Sequence, residues 1–299
     1  MELLPLSQGA YCLRGGTNVG LIVDGGRALV VDAGLDRDAG RRIVRAAEQL
    51  DVAIAAVVIT HAHADHFGGA AEVHRRTGVD VWAPRFEAAV VENPELEAYY
   101  LFSGARPPEA LRGKFIIAPA CEVSGHITEG TQEVCGFTLR AIPTPGHAQN
   151  LMMIATDGVC YAGDAFFVPA ILQKHGIPFY VDPLTARSSL KRLISLADRF
   201  EWFVPGHGVP VNRSEIEDVV NANVAVIDRL EAAIEGAIRE PAEASDVLTR
   251  VACGLEVTLN RADLYYLALT TIHEFLSALE DQGRAQLWVE DNRALWRAA

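Results

Sequence analysis

Residues 54–59 form an unbroken apolar run, Ile-Ala-Ala-Val-Val-Ile, which stops at Thr60 and is followed within six residues by His61, His63, Asp65 and His66. No other stretch constrains the fold as tightly. An apolar run of this length reads as a buried strand, and the chain leaving it carries three imidazoles and one carboxylate into a tight turn. Burying four such groups side by side is costly, because the carboxylate satisfies only some of the donors and protonated imidazoles repel one another. A bound cation removes that cost, and imidazole with carboxylate suits zinc, manganese and iron. A single histidine has many bland uses, so the inference rests on the cluster. His61 and His63 can point one way while Asp65 and His66 turn toward a neighbouring point, so one loop can serve two adjacent ions.

Other strand ends repeat the pattern. Strands are expected over 10–14, 18–24 and 28–32, with Gly25-Gly26 as a hairpin turn between the last two. Asp32 closes the third, either to hydrogen-bond an imidazole of the metal loop or as a turn or helix-capping residue. Ile43, Ala46, Ala47 and Leu50 recur at helical spacing over 38–50; a short helix over 68–77, a strand over 79–83 and a helix over 86–91 follow. His74, among Glu72, Arg75 and Arg76, reads as a solvated helix residue. In the second half, 126–130 reads as a strand and turn. A strand over 137–142 is stopped by Pro143-Thr144-Pro145-Gly146-His147, and 151–155 and 159–162 form a hairpin that runs into Gly163-Asp164. A last strand, 201–204, runs into Pro205-Gly206-His207-Gly208. His61, His63, Asp65, His66, His147, Asp164 and His207 thus make seven candidate ligands, the number that two ions sharing a carboxylate need.

The set THAHADH, TPGH, GD and PGHG, in that order over roughly residues 10–210, resembles the metallo-β-lactamase superfamily, in the hydrolase branch that includes glyoxalase II-like thioesterases. The resemblance implies an α/β fold, an αββα sandwich with metals at the sheet edge. It also implies two divalent ions, zinc first and iron or manganese otherwise: His61, His63 and His147 on one, Asp65, His66 and His207 on the other, Asp164 between them. Hydroxide made available by the ions then attacks a carbonyl, and Asp65 is the candidate to orient it and handle the proton. A small ester, thioester or lactone is the expected substrate. A single-iron sulfur dioxygenase of the same superfamily is the alternative, against which the complete second ligand set argues; a nuclease or nucleic-acid-processing member is another. Gly163-Asp164 is followed by Ala165-Phe166-Phe167, not by the Tyr common in the family's acyl-homoserine lactonases. Phe167, Lys174 and His175 are candidate substrate contacts, the last two with a surface-loop role as the rival reading.

Charge bears on the partner. The chain of 299 residues carries a formal net charge of −13, and affinity for polyanions comes largely from Lys and Arg neutralising phosphates. A small-molecule substrate is favoured over nucleic acid. The cysteines, Cys12, Cys121, Cys135, Cys160 and Cys253, are odd in number and lack a C-x-x-C pair, which fits reduced packing residues. No apolar run approaches the roughly 20 residues of a membrane span, and the N-terminal residues lack a basic leader followed by an apolar segment; a soluble cytoplasmic protein is the expectation.

Two segments stand outside the repeated plan. Residues 93–119 gather Tyr99, Tyr100, Leu101 and Phe102 before Pro107-Pro108, either as a lid whose Tyr99 and Phe102 touch substrate or as packing against a second copy of the chain. A catalytic domain over 1–212 is followed by a mostly helical module over 213–299. There Ser214-Glu215-Ile216-Glu217 reads as a capping box opening a helix that Pro241 ends, Asn260 caps a second helix that stops near Gly283, and Leu287–Val289 with Ala294–Trp296 form a hairpin. Helices followed by a hairpin resemble the small winged-helix module appended to some superfamily members. Residues 241–299 hold five Arg and no Lys against nine Asp plus Glu, a balance of −4. This favours packing on the catalytic domain or on a second subunit over reading nucleic acid.

Overall fold

The computed structural model describes residues 2–299. Among them the strands form two large sheets and one hairpin. The first sheet runs in chain order through β1 (Glu2–Ser7), β2 (Ala10–Arg14), β3 (Val19–Asp24), β4 (Arg27–Val31), β5 (Ala53–Val58), β6 (Asp80–Pro84) and β7 (Gly125–Ile127). Pairing is antiparallel from β1 to β4 and parallel from β4 to β7. The second sheet has β8 (Gly130–Val134), β9 (Phe137–Pro143), β10 (Met152–Thr156), β11 (Gly158–Gly163), β12 (Phe200–Pro205) and β13 (Val211–Asn212), in the order β13-β12-β11-β10-β9-β8.

Alternation along the central strands explains the stacking. In β4 and β5, Leu29, Val31, Ala56 and Val58 face the second sheet, meeting Leu139, Ile154 and Tyr161. Their neighbours Val30 and Val57 face outward onto Ile43 of α1 (Arg37–Gln49) and Val73 of α3 (Ala70–Thr77). Strands apolar on both faces must be covered on both, and the result is the expected αββα sandwich. Between α1 and α3 lies the single turn α2 (Ala64–Phe67), so the helix expected over 68–77 starts two residues late. Gly68 closes α2 and Gly69 caps α3, and both positions are crowded: a Cβ on Gly68 or Gly69 would fall 1.9 Å from the Leu35 carbonyl oxygen or 2.2 Å from that of Ala33. This close approach holds the metal loop against the end of β4.

Beyond β6 come α4 (Arg85–Glu92) and α5 (Glu95–Leu101); beyond β11 come α6 (Pro169–His175) and α7 (Pro183–Ser195). The last helices are α8 (Ile216–Ala237), α9 (Ala244–Gly254) and α10 (Ala262–Asp281), followed by the hairpin β14 (Ala285–Glu290) and β15 (Arg293–Ala298). Asp291 and Asn292 both adopt the left-handed backbone that a two-residue hairpin turn needs. Ala242 pairs with Trp296, so the chain before α9 lies against β15. One apolar cluster extends from Met153 and Cys160 of the second sheet through Ile227 and Leu230 of α8 to Ile272, Phe275 and Leu276 of α10. The expected caps of the two long helices do not form. The Ser214 hydroxyl donates to Asn212 Oδ1 and Glu215 takes the cap position of α8, while Arg261, not Asn260, precedes α10. All five cysteines are free, and Cys12, Cys121 and Cys160 are buried. No helix among the described residues is long and apolar enough to cross a membrane.

Candidate metal centre

The ends of four strands, β5, β9, β11 and β12, deliver the cluster to one edge. β5 leads through Thr60 into His61, and α2 carries Asp65 and His66. β11 and β12 are parallel neighbours, so their carboxyl ends lie side by side and present Asp164 and His207 together; the Gly206 N–H donates to the Gly163 carbonyl at 2.7 Å. His147 sits in the turn between β9 and β10. Gly206 is required here, because a Cβ on it would lie 2.1 Å from Asp164 Oδ1 and 2.5 Å from His66 Cε1.

The imidazoles are oriented from behind. His66 Nδ1 lies 2.8 Å from Asp32 Oδ2, His147 Nδ1 2.9 Å from the Phe179 carbonyl oxygen and His207 Nδ1 2.7 Å from that of Gly16. His61 Nδ1 lies 3.1 Å from the Thr60 hydroxyl, which itself donates to Asp32 Oδ2 at 3.0 Å. These acceptors fix a proton on Nδ1 of each ring and turn Nε2 inward, as a bare lone pair on the neutral rings of His61 and His147. The lone pairs converge. His63 Nδ1 is 3.1 Å from His61 Nε2 and 2.9 Å from His147 Nε2, with the protons of His61 and His147 already committed elsewhere. His66 Nε2 and Asp164 Oδ1 are buried 3.4 Å apart, each without a hydrogen-bond partner among the described residues. Facing lone pairs and orphaned buried acceptors are what a cation resolves, so the donor set fits metal ions.

The donors fall into overlapping trios: His61, His63 and His147; His61, His66 and Asp164; Asp65, His66 and His207. Asp164 Oδ2 stands between the outer two, 3.4 Å from His147 Nε2 and 3.6 Å from His207 Nε2. Electrostatics differ between them. Burial, reinforced by the neighbouring rings, holds His61 well below the ordinary histidine range and brings His63 down to about 3. Burial also lowers His147. His207 is raised to about 9 because Asp164 and Asp65 outweigh its burial, and Asp164 and Asp32 do the same for His66. Burial opposes ionisation of Asp65, yet His66 and His207 pull its carboxyl down.

Asp32 takes the hydrogen-bonding role of its two expected ones, accepting also from the Thr60 N–H at 2.8 Å. Residues that sequence reasoning passed over hold the loops. Glu87, buried on α4, accepts from the Ala62 N–H at 2.8 Å and from the Asn150 N–H at 2.9 Å, pinning the loops of His61 and His147 together. The Asn18 amide donates to the carbonyls of Pro205 and Gly208, both at 2.9 Å, on either side of His207. Thr17 donates to Asp65 Oδ2. Glu87, Asn18 and Thr17 carry no local signal of this role, whereas Thr60 lies within the cluster itself.

A cavity of about 580 Å³ opens beside the centre, and Phe167, Lys174 and His175 are among the residues that line it. Tyr99 and Phe102 lie outside its lining: Phe102 packs on the Tyr266 ring of α10, centroids 5.4 Å apart. The 93–119 segment reaches the cavity instead through Glu97, Phe115 and Ile116. Leu101 and Ile116 pack with Tyr266 and Leu267 of the same chain.

Residues 13–207 match the model of the metallo-beta-lactamase superfamily, and the chain belongs to that superfamily. It is 27% identical over 177 residues to a hydroxyacylglutathione hydrolase of Xanthomonas campestris pv. campestris, a match covering 59% of this chain and 54% of that protein. It is 26% identical over 221 residues to the probable metallo-hydrolase YflN of Bacillus subtilis, covering 64% and 81%. With the atrochrysone carboxyl ACP thioesterase of Aspergillus fumigatus it shares 26% over 204 residues, covering 67% and 53%. The chain thus spans about half the length of the hydroxyacylglutathione hydrolase it matches. Among solved structures, the metallo-beta-lactamase family protein TTHA1429 of Thermus thermophilus aligns with a TM-score of 0.75 at 20% identity over 99% of this chain and 100% of that one. A beta-lactamase domain protein of Burkholderia ambifaria gives 0.73 at 19% over 100% and 94%. At these identities the structures establish the fold, with the C-terminal helices included.

Proposed function

We propose that the chain is a metal-dependent hydrolase of a small ester, thioester or lactone. In this reading His61, His63 and His147 hold one divalent ion, Asp65, His66 and His207 hold a second, and Asp164 joins them. The observation that carries it is the convergence of seven donors at one sheet edge, four of them imidazoles (His61, His66, His147 and His207) whose outer nitrogen is already committed, so that Nε2 is turned inward. The ions, zinc first by donor type, supply Lewis acidity toward a carbonyl and make hydroxide available near neutral pH. The chain's own residues do the rest. Asp65 faces the cavity half-buried and is placed to orient the attacking water and pass its proton to the leaving group. Phe167 and Phe179, whose rings lie 5.5 Å and 5.8 Å from that of His147, keep bulk water from the centre. The names hydroxyacylglutathione hydrolase and ACP thioesterase among the relatives support cleavage of an acyl bond by water. The complete trio of Asp65, His66 and His207 weighs against a single-iron centre, and the acidic C-terminal segment against nucleic acid.

Elemental analysis of protein purified without chelator, paired with a panel of thioesters, esters and lactones, tests this reading. Two metal equivalents and hydrolysis that chelation abolishes and metal restores are expected, and Asp164→Ala should lower occupancy of both ions. One equivalent that added metal cannot raise overturns the dinuclear reading; a fully loaded protein inert toward the whole panel overturns the hydrolase.

A further inference from the structure

The cavity beside the metal centre is walled in part by stretches of the chain outside the superfamily match, which covers residues 13–207. The extended segment after α9 alternates, with Leu255, Val257 and Leu259 half-buried and Glu256 and Thr258 exposed. α10 adds Leu264, Leu267 and Ala268, an i, i+3, i+4 stripe on one face. Opposite them stand Ile116 from the 93–119 segment and Leu172 and Ile177 around the end of α6, all buried. The apolar surface begins at the donors themselves, since the Phe179 ring lies 5.3 Å from that of His63. The cavity's strongly basic side chains, Lys174 and Arg229, are exposed and belong to its rim. Glu97, in the wall, is kept largely uncharged at neutral pH by burial and by Glu87, which raise its pKa to about 8.

We propose that this cavity is an acyl site: it takes an extended apolar acyl chain of the ester or thioester, and Leu264 and Leu267 of the C-terminal helix set the length accepted. The inference rests on the hydrolase reading above. A volume of about 580 Å³ lies within the ~300–1,000 Å³ of whole small-molecule sites, far more than an acetyl group fills. Away from the donors and Glu97 the wall is apolar, and the strongly basic side chains lie at the exposed rim. A polar leaving group therefore sits toward solvent, and the acyl chain is the part that enters.

Two series test it on the metal-loaded, full-length protein: thioesters from acetyl to dodecanoyl with one leaving group, and acetyl thioesters with lengthening alkyl leaving groups. kcat/KM should rise roughly fourfold per methylene along the first series until the cavity is filled, the gain that burying ~0.8 kcal/mol per methylene provides, and stay flat along the second. Leu264→Trp should lower the octanoyl-to-acetyl ratio of kcat/KM at least tenfold, and Leu267→Ala should move the optimum to longer chains. Binding gives a readout apart from turnover. Metal-free protein titrated with alcohols from butan-1-ol to octan-1-ol should bind with the same fourfold increments, reduced by Leu264→Trp. Hydrolysis indifferent to acyl length, or rising along the leaving-group series instead, overturns the acyl site and leaves the hydrolase standing. No hydrolysis at any length with both ions bound overturns the hydrolase and the acyl site with it.

Discussion

Asp32 holds a left-handed backbone, φ 62°, and from it accepts three hydrogen bonds, from the N–H and hydroxyl of Thr60 and from His66. Asp32→Asn keeps the shape but offers one acceptor atom where three donors converge. Metal affinity measured by equilibrium dialysis should fall about 10–100-fold, as when the partner behind a ligating histidine is lost, and unchanged affinity would show that His66 is positioned without it. Glu97 makes a pH-dependent prediction. Its carboxyl ionises at about 8 in the folded chain against an ordinary value of 4.5. Between those values the unfolded chain gives up a proton that the folded chain keeps, so stability falls as pH rises through that window. Glu97→Gln should therefore melt with wild type at pH 4.5 and about 2 °C or more above it beyond pH 8, the shift that ~1 kcal/mol produces in a chain of this size. Identical melting at both ends of the window would mean that Glu97 ionises freely. At this scale the donors are legible in the sequence because chemistry crowds them into short motifs. Glu87 is not, because on α4 it reads as an ordinary helix residue and its partners Ala62 and Asn150 lie 25 and 63 positions away.

Two C-terminal helices reach the centre through backbone. Asn223 of α8, fully buried, takes both the N–H and the carbonyl of Phe167, just past Asp164. Thr271 of α10 accepts from the Tyr180 N–H at 3.1 Å and donates toward the Pro178 carbonyl at 3.3 Å, bracketing Phe179, whose carbonyl orients His147. Thr271→Val keeps the volume and removes the bracket, leaving the Tyr180 N–H buried without a partner. A loss of about 1–3 kcal/mol of stability is expected, together with weaker metal binding at the His147 trio, read by chelator competition. A variant that loses stability but binds metal as before would confine Thr271 to packing. Strands and their ligand-bearing ends are legible because apolar runs stop abruptly at Pro, Gly or His. Helix ends are less so: Ser214 meets the capping pattern, but Asn212 Oδ1 captures its hydroxyl first. α7 goes unread although Asp182 caps it and Pro183 opens it, because its apolar residues are interrupted by Ser188, Ser189 and Lys191. The edge strand β1 is masked by Pro5, which is tolerated only at a sheet edge.

Across the whole molecule, the cluster that joins the second sheet to α8 and α10 leaves the C-terminal segment no independent core. Trp296 is buried within it, and Trp288 is half-buried with the Arg297 guanidinium over its ring at 5.8 Å. A chain ending at Arg239 should bare Ile227, Leu230 and Ile234 of α8 and aggregate, as light scattering would register; a stable, soluble product would show that the segment folds apart. The sandwich is legible from periodicity, but the closure of 93–119 onto α10 is not, because contacts between Phe102 and Tyr266 leave no periodic trace. The same long reach governs the metal centre, where Gly16 and Asn18 grip the His207 loop across 187 to 191 positions. Synthesis delivers the N-terminal half first, so His61, His63 and Asp65 must wait on the ribosome for Asp164 and His207. If two ions bind as proposed, a product of translation interrupted before His207 lacks one ligand of the Asp65, His66 and His207 trio.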